Sequence, residues 1–479
     1  MPAYRWLCDA LRTAILHGRL RPGARLPSTR DLAAQHGLSR GTVITAYAQL
    51  GSEGYVDGTV GSGTYVNAVL PDALLQVTAR AGRRDTSPPA PVRHISDYGK
   101  RVVAFRPLEL RPSRAFRPNL PALDHFPTAL WAQLASRRLR RTSAKMLMSG
   151  DSRGYPPLRA ALADYLARSR GVICSPDQVF LVSGVQDGLD LVARLVLDPG
   201  DKVCVEDPGY RGAARVFAAV GARIAHVPVD DEGMTLPPAR LRGARLVYLT
   251  PAHQYPMAVA MSLPRRLALL DWARTTGALV IEDDYDSEFR YSGQPLPSLQ
   301  GLDRSGHVVF AGSFSKVLFP ALRLGYLVVP PDLVDRFTAV RSMTTRYLPL
   351  LDQSVVCDFI TEGHFGRHLR RMRQLYADRL ATLLDCARRE LAGALELSPV
   401  EAGLHTIGWL AAGLTGEAVA AAAAAHSVEV IPLREFHAGA MPRDGLQLGF
   451  GAVNEREIRR GVHDLARAIG EVAGSTRDR

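Results

Sequence analysis

Apolar residues recur at helical spacing in YRWLCDALRTAILHGRL, where Leu7, Leu11 and Ile15 fall on one face and the run stops near Gly18. Pro22-Gly23 then marks a turn. Ser28 has the chemistry of an N-cap for TRDLAAQHG, a short helix ended by Gly37. Ser39 caps the next helix, RGTVITAYAQLGSEG. Two short helices joined by a Gly-Leu turn have the layout of a helix-turn-helix. The β-rich runs of YVDGTVGSGTYV, punctuated by Gly58, Gly61 and Gly63, predict a hairpin where a wing would sit.

Between 67 and 115 this periodicity fades. DTSPPAPVRH and RPLELRPSR are rich in Pro, Ser and Arg and read as an extended tether. From Phe116 onward, short apolar runs alternate with helix-length segments: QVFLVSG, KVCVEDPG, ARLVYLTP, GALVIEDD, HVVFAGS and LGYLVVP. That alternation predicts a mainly parallel sheet covered by helices. After about Leu333 long helices take over, followed by a mixed end containing GLHTIGWLAA and GLQLGFG. The expected α/β architecture is a compact front unit over 1–66, a tether over 67–115, and a body over 116–479 made of a large α/β part and a smaller α+β part.

A length of 479 residues is too great for one core and agrees with this division. Charge separates the same pieces. The first 115 residues hold 16 basic and 8 acidic side chains, whereas the remainder holds 43 and 39. A basic front end on a nearly neutral body suits binding to a polyanion, although a solvated basic surface has the same composition. No run approaches the roughly 18 uninterrupted apolar residues that a membrane span needs. The opening MPAYRWLCDALRTAIL lacks a basic segment followed by an apolar one, so no secretory signal is read. Cys8, Cys174, Cys204, Cys357 and Cys386 are scattered without a CxxC, which suits a reducing cytoplasm. His364 and His368 stand at i, i+4 on an Arg-rich segment without an evident third ligand, so no metal site is read.

In a helix-turn-helix the first residues of the second helix meet base edges. Here these are Ser39, Arg40, Gly41 and Thr42. Arg40 suits a guanine edge or a phosphate, and the sequence leaves that choice open. Arg30, on the preceding helix, suits a phosphate, while Gly61 and Gly63 would let the wing backbone approach the minor groove.

The body has only three lysines after Lys100, and one of them is conspicuous. Lys316 follows the apolar run HVVFAG within SFSK, a strand end where burial would lower its pKa and ready it for a Schiff base. Asp283 ends GALVIE 33 residues earlier, where a carboxylate can hold a pyridine nitrogen protonated. Arg323, seven residues past the lysine, can clamp a phosphate together with Ser313 or Ser315. Upstream, Gly184, Val185 and Gln186 open a helix whose free amide N–H groups form a phosphate cradle. Each feature has a plainer explanation: Glu282, Asp283, Asp284 and Asp286 could be a solvated acidic loop or a metal site, and Lys316 a surface turn. Their order along the chain is the more specific signal.

That order resembles the fold type I, aspartate aminotransferase-like enzymes that use pyridoxal 5′-phosphate (PLP). The front string LRPGARLPSTRDLAAQHGLSRGTVITAYAQLGSEGYVDGTVGSGTYV resembles the GntR-type winged helix. Together with FRPNLPALDHFP, EDPGY, TPAHQYP, EDDYDSEFRY, GSFSKVLFPALRLGYLV, GHFGRHLRRMRQLY and LGFGAVNEREI, the chain resembles the MocR subfamily of GntR transcriptional regulators over nearly all its length. The resemblance implies that Lys316 carries the PLP Schiff base, Asp283 meets the pyridine nitrogen, Tyr285 bonds the phenolic oxygen and Tyr210 stacks on the ring. Arg323, Ser313 and the Gly184–Gln186 turn would hold the phosphate, with His253 near the ring. It also implies a homodimer reading paired sites on double-stranded DNA, switched by an amine or amino-acid effector or by PLP itself.

Departures from the family pattern fall in the substrate region. Pro256-Met257-Ala258 replaces a usual Pro-Thr-Gly, Ser149 precedes Gly150-Asp151 where an aromatic is common, and GLQLGF carries Gln447 where aminotransferases place a carboxylate-binding arginine. Arg211 and Arg434 are candidate substitutes for holding an effector carboxylate. The alternative function is a working aminotransferase with an appended DNA-binding unit.

Overall fold

A computed structural model of the chain describes residues 2–59, 63–70, 93–104, 114–293, 297–439, 441 and 443–477. They fall into two compact units, split between Arg93 and His94.

In the first unit, helices Ala3–Leu16, Thr29–His36 and Arg40–Ser52 are followed by strands β1 (Val56–Thr59) and β2 (Gly63–Val66). The strands pair antiparallel from Val56↔Val66 to Thr59↔Gly63. The expected caps form: the Ser28 side chain accepts from Asp31 N–H at 3.2 Å and Ser39 from Thr42 N–H at 3.1 Å. Gly37 closes the second helix at φ +64°, a left-handed conformation in which a Cβ would be strained. Leu7, Ile15, Leu32, Val43, Ala46, Leu50, Val56 and Val66 form one buried cluster that locks the three helices to the hairpin.

The second unit is built on an eight-stranded sheet. Its strands are β3 (Val179–Val182), β4 (Lys202–Asp207), β5 (Arg223–Asp230), β6 (Gly233–Met234), β7 (Ala244–Leu249), β8 (Leu279–Asp284), β9 (Val308–Ser313) and β10 (Gly325–Val328). The order across the sheet is β3-β10-β9-β8-β7-β4-β5-β6. From β5 to β9 the central strands run parallel, while β10 lies antiparallel between β3 and β9. The apolar runs gave β3, β4, β7, β8, β9 and β10. They omitted β5, RIAHVPVD, because it lies towards the sheet edge with seven of its eight residues exposed or only half-buried. A second, antiparallel sheet follows in the order β11 (Leu395–Leu397), β12 (His405–Leu410), β14 (Gly445–Gly449), β13 (Ile431–Pro432). Helices His364–Glu390 and Glu455–Arg477 pack on each other beside it.

Part of the stretch expected as tether carries structure. Helix Asp97–Arg101 sits on the second unit, with Arg101 Nε donating to the Ala219 carbonyl (3.1 Å) and Arg194 Nη2 to the Tyr98 hydroxyl (3.1 Å).

The sheet is tied to helix Pro156–Arg170 by an ion pair taken almost wholly out of water: Arg170 Nε lies 2.6 Å from Asp284 Oδ2, with side chains 7% and 5% exposed. Removing one partner of a buried pair leaves an uncompensated charge. Arg170→Met is therefore expected to destabilise the second unit by about 3–5 kcal/mol in chemical denaturation. Arg168→Met, which breaks an exposed pair with Asp164 on the same helix, should shift stability by about 1 kcal/mol or less.

Candidate functional site

Parallel strands deliver the side chains at their carboxyl ends to one edge of the sheet, and ligands of open α/β sheets bind outside that edge. β8 ends in Asp283-Asp284, β9 ends in Ser313 and runs into the turn carrying Ser315 and Lys316, and β7 leads to Thr250 and Tyr255. Helix Val185–Val196 starts directly after β3, with Gly184 as its N-cap at φ +85°. These ends enclose a cavity of about 360 Å³. Ten of the expected cofactor residues line it: Gly184, Val185, Gln186, Tyr210, Asp283, Tyr285, Ser313, Ser315, Lys316 and Arg323.

Asp283 is 5% exposed, and its Oδ2 accepts from the Tyr248 hydroxyl at 2.6 Å. Burial pushes its pKa up to about 7; the Tyr248 hydrogen bond opposes this, and Asp284 and Asp286 reinforce it. Its other oxygen, Oδ1, is buried without a partner among the described residues. A bare buried acceptor costs about 1–3 kcal/mol, so the site suits a ligand that brings an N–H to that oxygen.

Across the cavity, Lys316 Nζ donates to the Asn119 carbonyl at 2.6 Å. The lysine side chain is open in part to the cavity, yet taking its charge out of water outweighs the attraction of Asp286 and Asp283. The amine pKa falls to about 8. Asn119 holds this carbonyl in place from a left-handed backbone, φ +65°, which asparagine tolerates better than most residues.

The opposite end is shaped for an anion. The first N–H groups of helix Val185–Val196 have no intrahelical acceptor. Arg323, itself left-handed at φ +48°, donates to the Ser183 carbonyl at 2.8 Å, and a Cβ placed on Gly184 would meet its guanidinium at 3.2 Å. Ser315 N–H donates to Ser313 Oγ at 3.1 Å, which brings both hydroxyl-bearing residues to the same turn. Gln186 Nε2 donates to the Tyr210 hydroxyl at 2.8 Å, fixing that ring in the cavity wall.

His253 is placed behind the wall rather than in it. Its Nδ1 lies 2.9 Å from Asp286 Oδ1 and 3.0 Å from the Tyr285 hydroxyl, so it supports Tyr285. Gly403 makes room for this histidine, since a Cβ there would fall 2.0 Å from its Cε1. Arg211 and Arg434, the expected carboxylate holders, lie outside the cavity lining. Arg211 donates to the Glu435 carbonyl at 2.7 Å, and Arg434 is 62% exposed and 3.6 Å from Glu417. His368 Nε2 lies 2.9 Å from the Val317 carbonyl, directly after the lysine.

Eight lining residues were not singled out from sequence, among them Arg117, Asn119, Tyr248 and Tyr255. A signal existed for two of them. Tyr248 is the one polar-tipped side chain at the end of the apolar run ARLVY, and a buried tyrosine hydroxyl needs a partner. Asn119 lies in RPNLP, with a proline before it and another two residues after, a turn pattern.

In the first unit, Arg30, Ser39, Arg40 and Gly41 are exposed and Thr42 is half-buried at the start of helix Arg40–Ser52. Ser39 Oγ and Thr42 Oγ1 are 2.8 Å apart and cap the helix, leaving Arg40 and Gly41 as its leading outward residues. Gly63 opens β2 at φ +111°, with the Arg25 guanidinium 2.8 Å from where its Cβ would be. Gly61 lies outside the described residues.

Residues 120–465 match the family of aminotransferases class I and II, and residues 3–66 match the gntR family of bacterial regulatory proteins. The chain is 40% identical to the probable rhizopine catabolism regulatory protein MocR of Rhizobium meliloti, over 98% of this chain and 94% of that one. It is 31% identical to the HTH-type pyridoxine biosynthesis transcriptional regulator PdxR of Corynebacterium glutamicum, over 97% and 95% respectively. Among solved structures it is similar to the α-aminoadipate aminotransferase LysN of Thermus thermophilus, complexed with N-(5′-phosphopyridoxyl)-L-leucine. That likeness has a TM-score of 0.69 and 31% identity, and covers 75% of this chain and 92% of that one. The chain therefore belongs to the MocR-type transcriptional regulators, with a gntR-family DNA-binding unit followed by a unit of the aminotransferase class I and II family.

Proposed function

We propose that the body of this regulator, placed at 116–479, holds PLP and senses an amine effector through Lys316, and that the front unit, placed at 1–66, carries the response to operator DNA. The single observation that carries this reading is the cavity itself. It sets a buried carboxylate oxygen without a partner among the described residues, a lysine amine with a lowered pKa and an anion-shaped helix start around one space.

The donors fit the cofactor. Asp283 Oδ1 suits the pyridine N–H, Tyr285 the phenolic oxygen and Tyr210 the ring face. The N–H groups at Gly184–Gln186, with Ser313, Ser315 and Arg323, suit the phosphate. When bound, PLP supplies an electrophilic aldehyde carbon that captures amines and a pyridine ring that draws electrons while its nitrogen is protonated. The chain's own part is to bind, orient and manage protons. Burial keeps a fraction of Lys316 neutral near physiological pH, so its nitrogen is available as a nucleophile and as a proton acceptor for an incoming ammonium.

Switching needs an effector that interacts differently with two arrangements of the protein. An amine that takes the place of Lys316 frees the lysine amine, which can then donate to the Asn119 carbonyl as it does without the cofactor. Asn119 lies on the segment that follows the tether, so this step adds a hydrogen bond where the chain enters the body. On the DNA side, Arg40 leads the helix that would enter the major groove, with Ser39, Gly41 and Thr42 beside it and Arg30 on the phosphates; Gly63 belongs to the wing. Leu139, Leu147, Met148 and Met343, 59–85% exposed, support burial of this body against a second copy. A homodimer would carry two such helices to paired half-sites.

Three outcomes are expected. Lys316 in the cofactor-free protein should react with an amine-directed reagent with a pH midpoint of about 8, because its charged form is disfavoured by burial and is lost above that pH. Lys316→Ala should abolish the visible absorption of the PLP-loaded protein and its effector-induced change, while operator binding in gel shift persists. Arg40→Ala should weaken operator binding by about 1–3 kcal/mol and relax preference at one base pair if Arg40 reads a guanine. A uniform loss across all sequences, with a smaller salt dependence, would assign it to a phosphate instead. Deleting 1–66 tests the remaining reading, that of a turning-over transaminase, which would keep its activity.

A further inference from the structure

The cavity has two differently charged ends, and its second end bears on the chemistry of the effector. Among the described residues, its cationic lining consists of Arg117, Lys316 and Arg323. Arg323 belongs to the anion-shaped helix start, where it donates to the Ser183 carbonyl. Arg117 Nε is 3.4 Å from Glu429 Oε1. Lys316 is the amine at the centre. From Lys316 a chain of hydrogen bonds runs through Asn119 into neutral side chains. Asn119 Nδ2 donates to the Tyr255 hydroxyl at 2.8 Å, and that hydroxyl donates to Gln447 Oε1 at 3.3 Å. Gln447 is wholly buried on β14, and its Nε2 is a donor without a partner among the described residues.

The surroundings are also unfavourable to a second anion. Asp283, Asp286 and Glu206 are all buried, and both aspartates act on Lys316. Glu206 is held by the N–H and hydroxyl of Thr250, a residue of the cavity lining. An effector carboxylate lying on the Asn119–Tyr255 side would lose its water and gain only neutral hydrogen bonds, next to carboxylates of like charge. A hydroxyl there loses little and can both donate and accept along the belt.

Resting on the cofactor reading above, we infer that the effector is a hydroxylated amine without a carboxylate, recognised by the neutral belt Asn119–Tyr255–Gln447. Gln447 is a positioning residue in this scheme, since it acts on the effector through the Tyr255 hydroxyl. The belt selects by refusing a charge it cannot pair, as sites built from neutral hydrogen-bonding groups do.

The test compares pairs of amines that differ only at this group: 2-amino-1,3-propanediol against serine, and 3-amino-1-propanol against β-alanine. Each is titrated into the full-length, PLP-loaded protein while the visible absorption band is followed. Absence of any band before titration would overturn the cofactor reading alone. With a band present, each amino alcohol should half-saturate the spectral change at a concentration about tenfold lower than its amino acid. Equal or tighter binding of the amino acids would overturn the inference. Gln447→Arg should reverse the preference in favour of the amino acids, and Gln447→Leu should bring the ratio towards one. A ratio of two ligands on one preparation does not depend on how much of each variant folds. Unchanged ratios in both variants would remove Gln447 from recognition and overturn the inference as well.

Discussion

Four carboxylates within five residues, Glu282, Asp283, Asp284 and Asp286, are buried at the end of β8, and much of the second unit is arranged to hold them. A charge out of water must be paired or hydrogen-bonded, or it neutralises. Glu282 accepts from the N–H groups of Leu299 and Gln300 and faces the buried Arg266 at 3.9 Å. Asp284 takes Arg170, and Asp286 takes His253. These pairings draw different elements onto β8: helix Pro156–Arg170, helix Leu263–Thr276, the short helix Leu299–Leu302 and the loop after β7. Asp283 is the exception, satisfied at one oxygen by Tyr248 and without a partner at the other among the described residues. The fold thus pairs three carboxylates fully and leaves one acceptor facing the cavity.

A similar restraint operates at Lys316. Its neighbours Asp283 and Asp286 lift the amine pKa less than burial lowers it. What steadies the ammonium is a main-chain carbonyl, that of Asn119, a neutral and weaker partner. A lysine held by a carbonyl is easier to displace than one held by a carboxylate at contact distance. That difference separates a lysine that can exchange its partner from one locked in a structural ion pair such as Arg170–Asp284.

The front unit and the sheet were largely legible because their patterns are local. Caps at Ser28 and Ser39, the stop at Gly37 and the buried face through Leu7 and Ile15 all depend on residues within a turn or two of one another. The core strands of the large sheet read as apolar runs because both faces are covered, whereas β5 escaped notice because its edge position exposes it. The acidic cluster after GALVIE could not be told from a solvated loop by composition. Burial is decided by what packs on it, and those helices come from elsewhere in the chain.

By itself, the sequence determined which chemical groups exist and in what order: a glycine-opened helix, an aspartate ending one strand, a lysine and an arginine just past the next. Strand periodicity places such groups at strand ends, and parallel strands bring like ends together. Only the tertiary structure decided the partners, because they are remote: Tyr248 for Asp283 is 35 residues away, Asn119 for Lys316 is 197, and Gln447 for Tyr255 is 192. It also decided that His253 backs Tyr285, and that Arg211 and Arg434 lie outside the cavity lining. Hydrogen bonds act over about 3 Å, and no spacing along a chain specifies which residues the fold will bring within that distance.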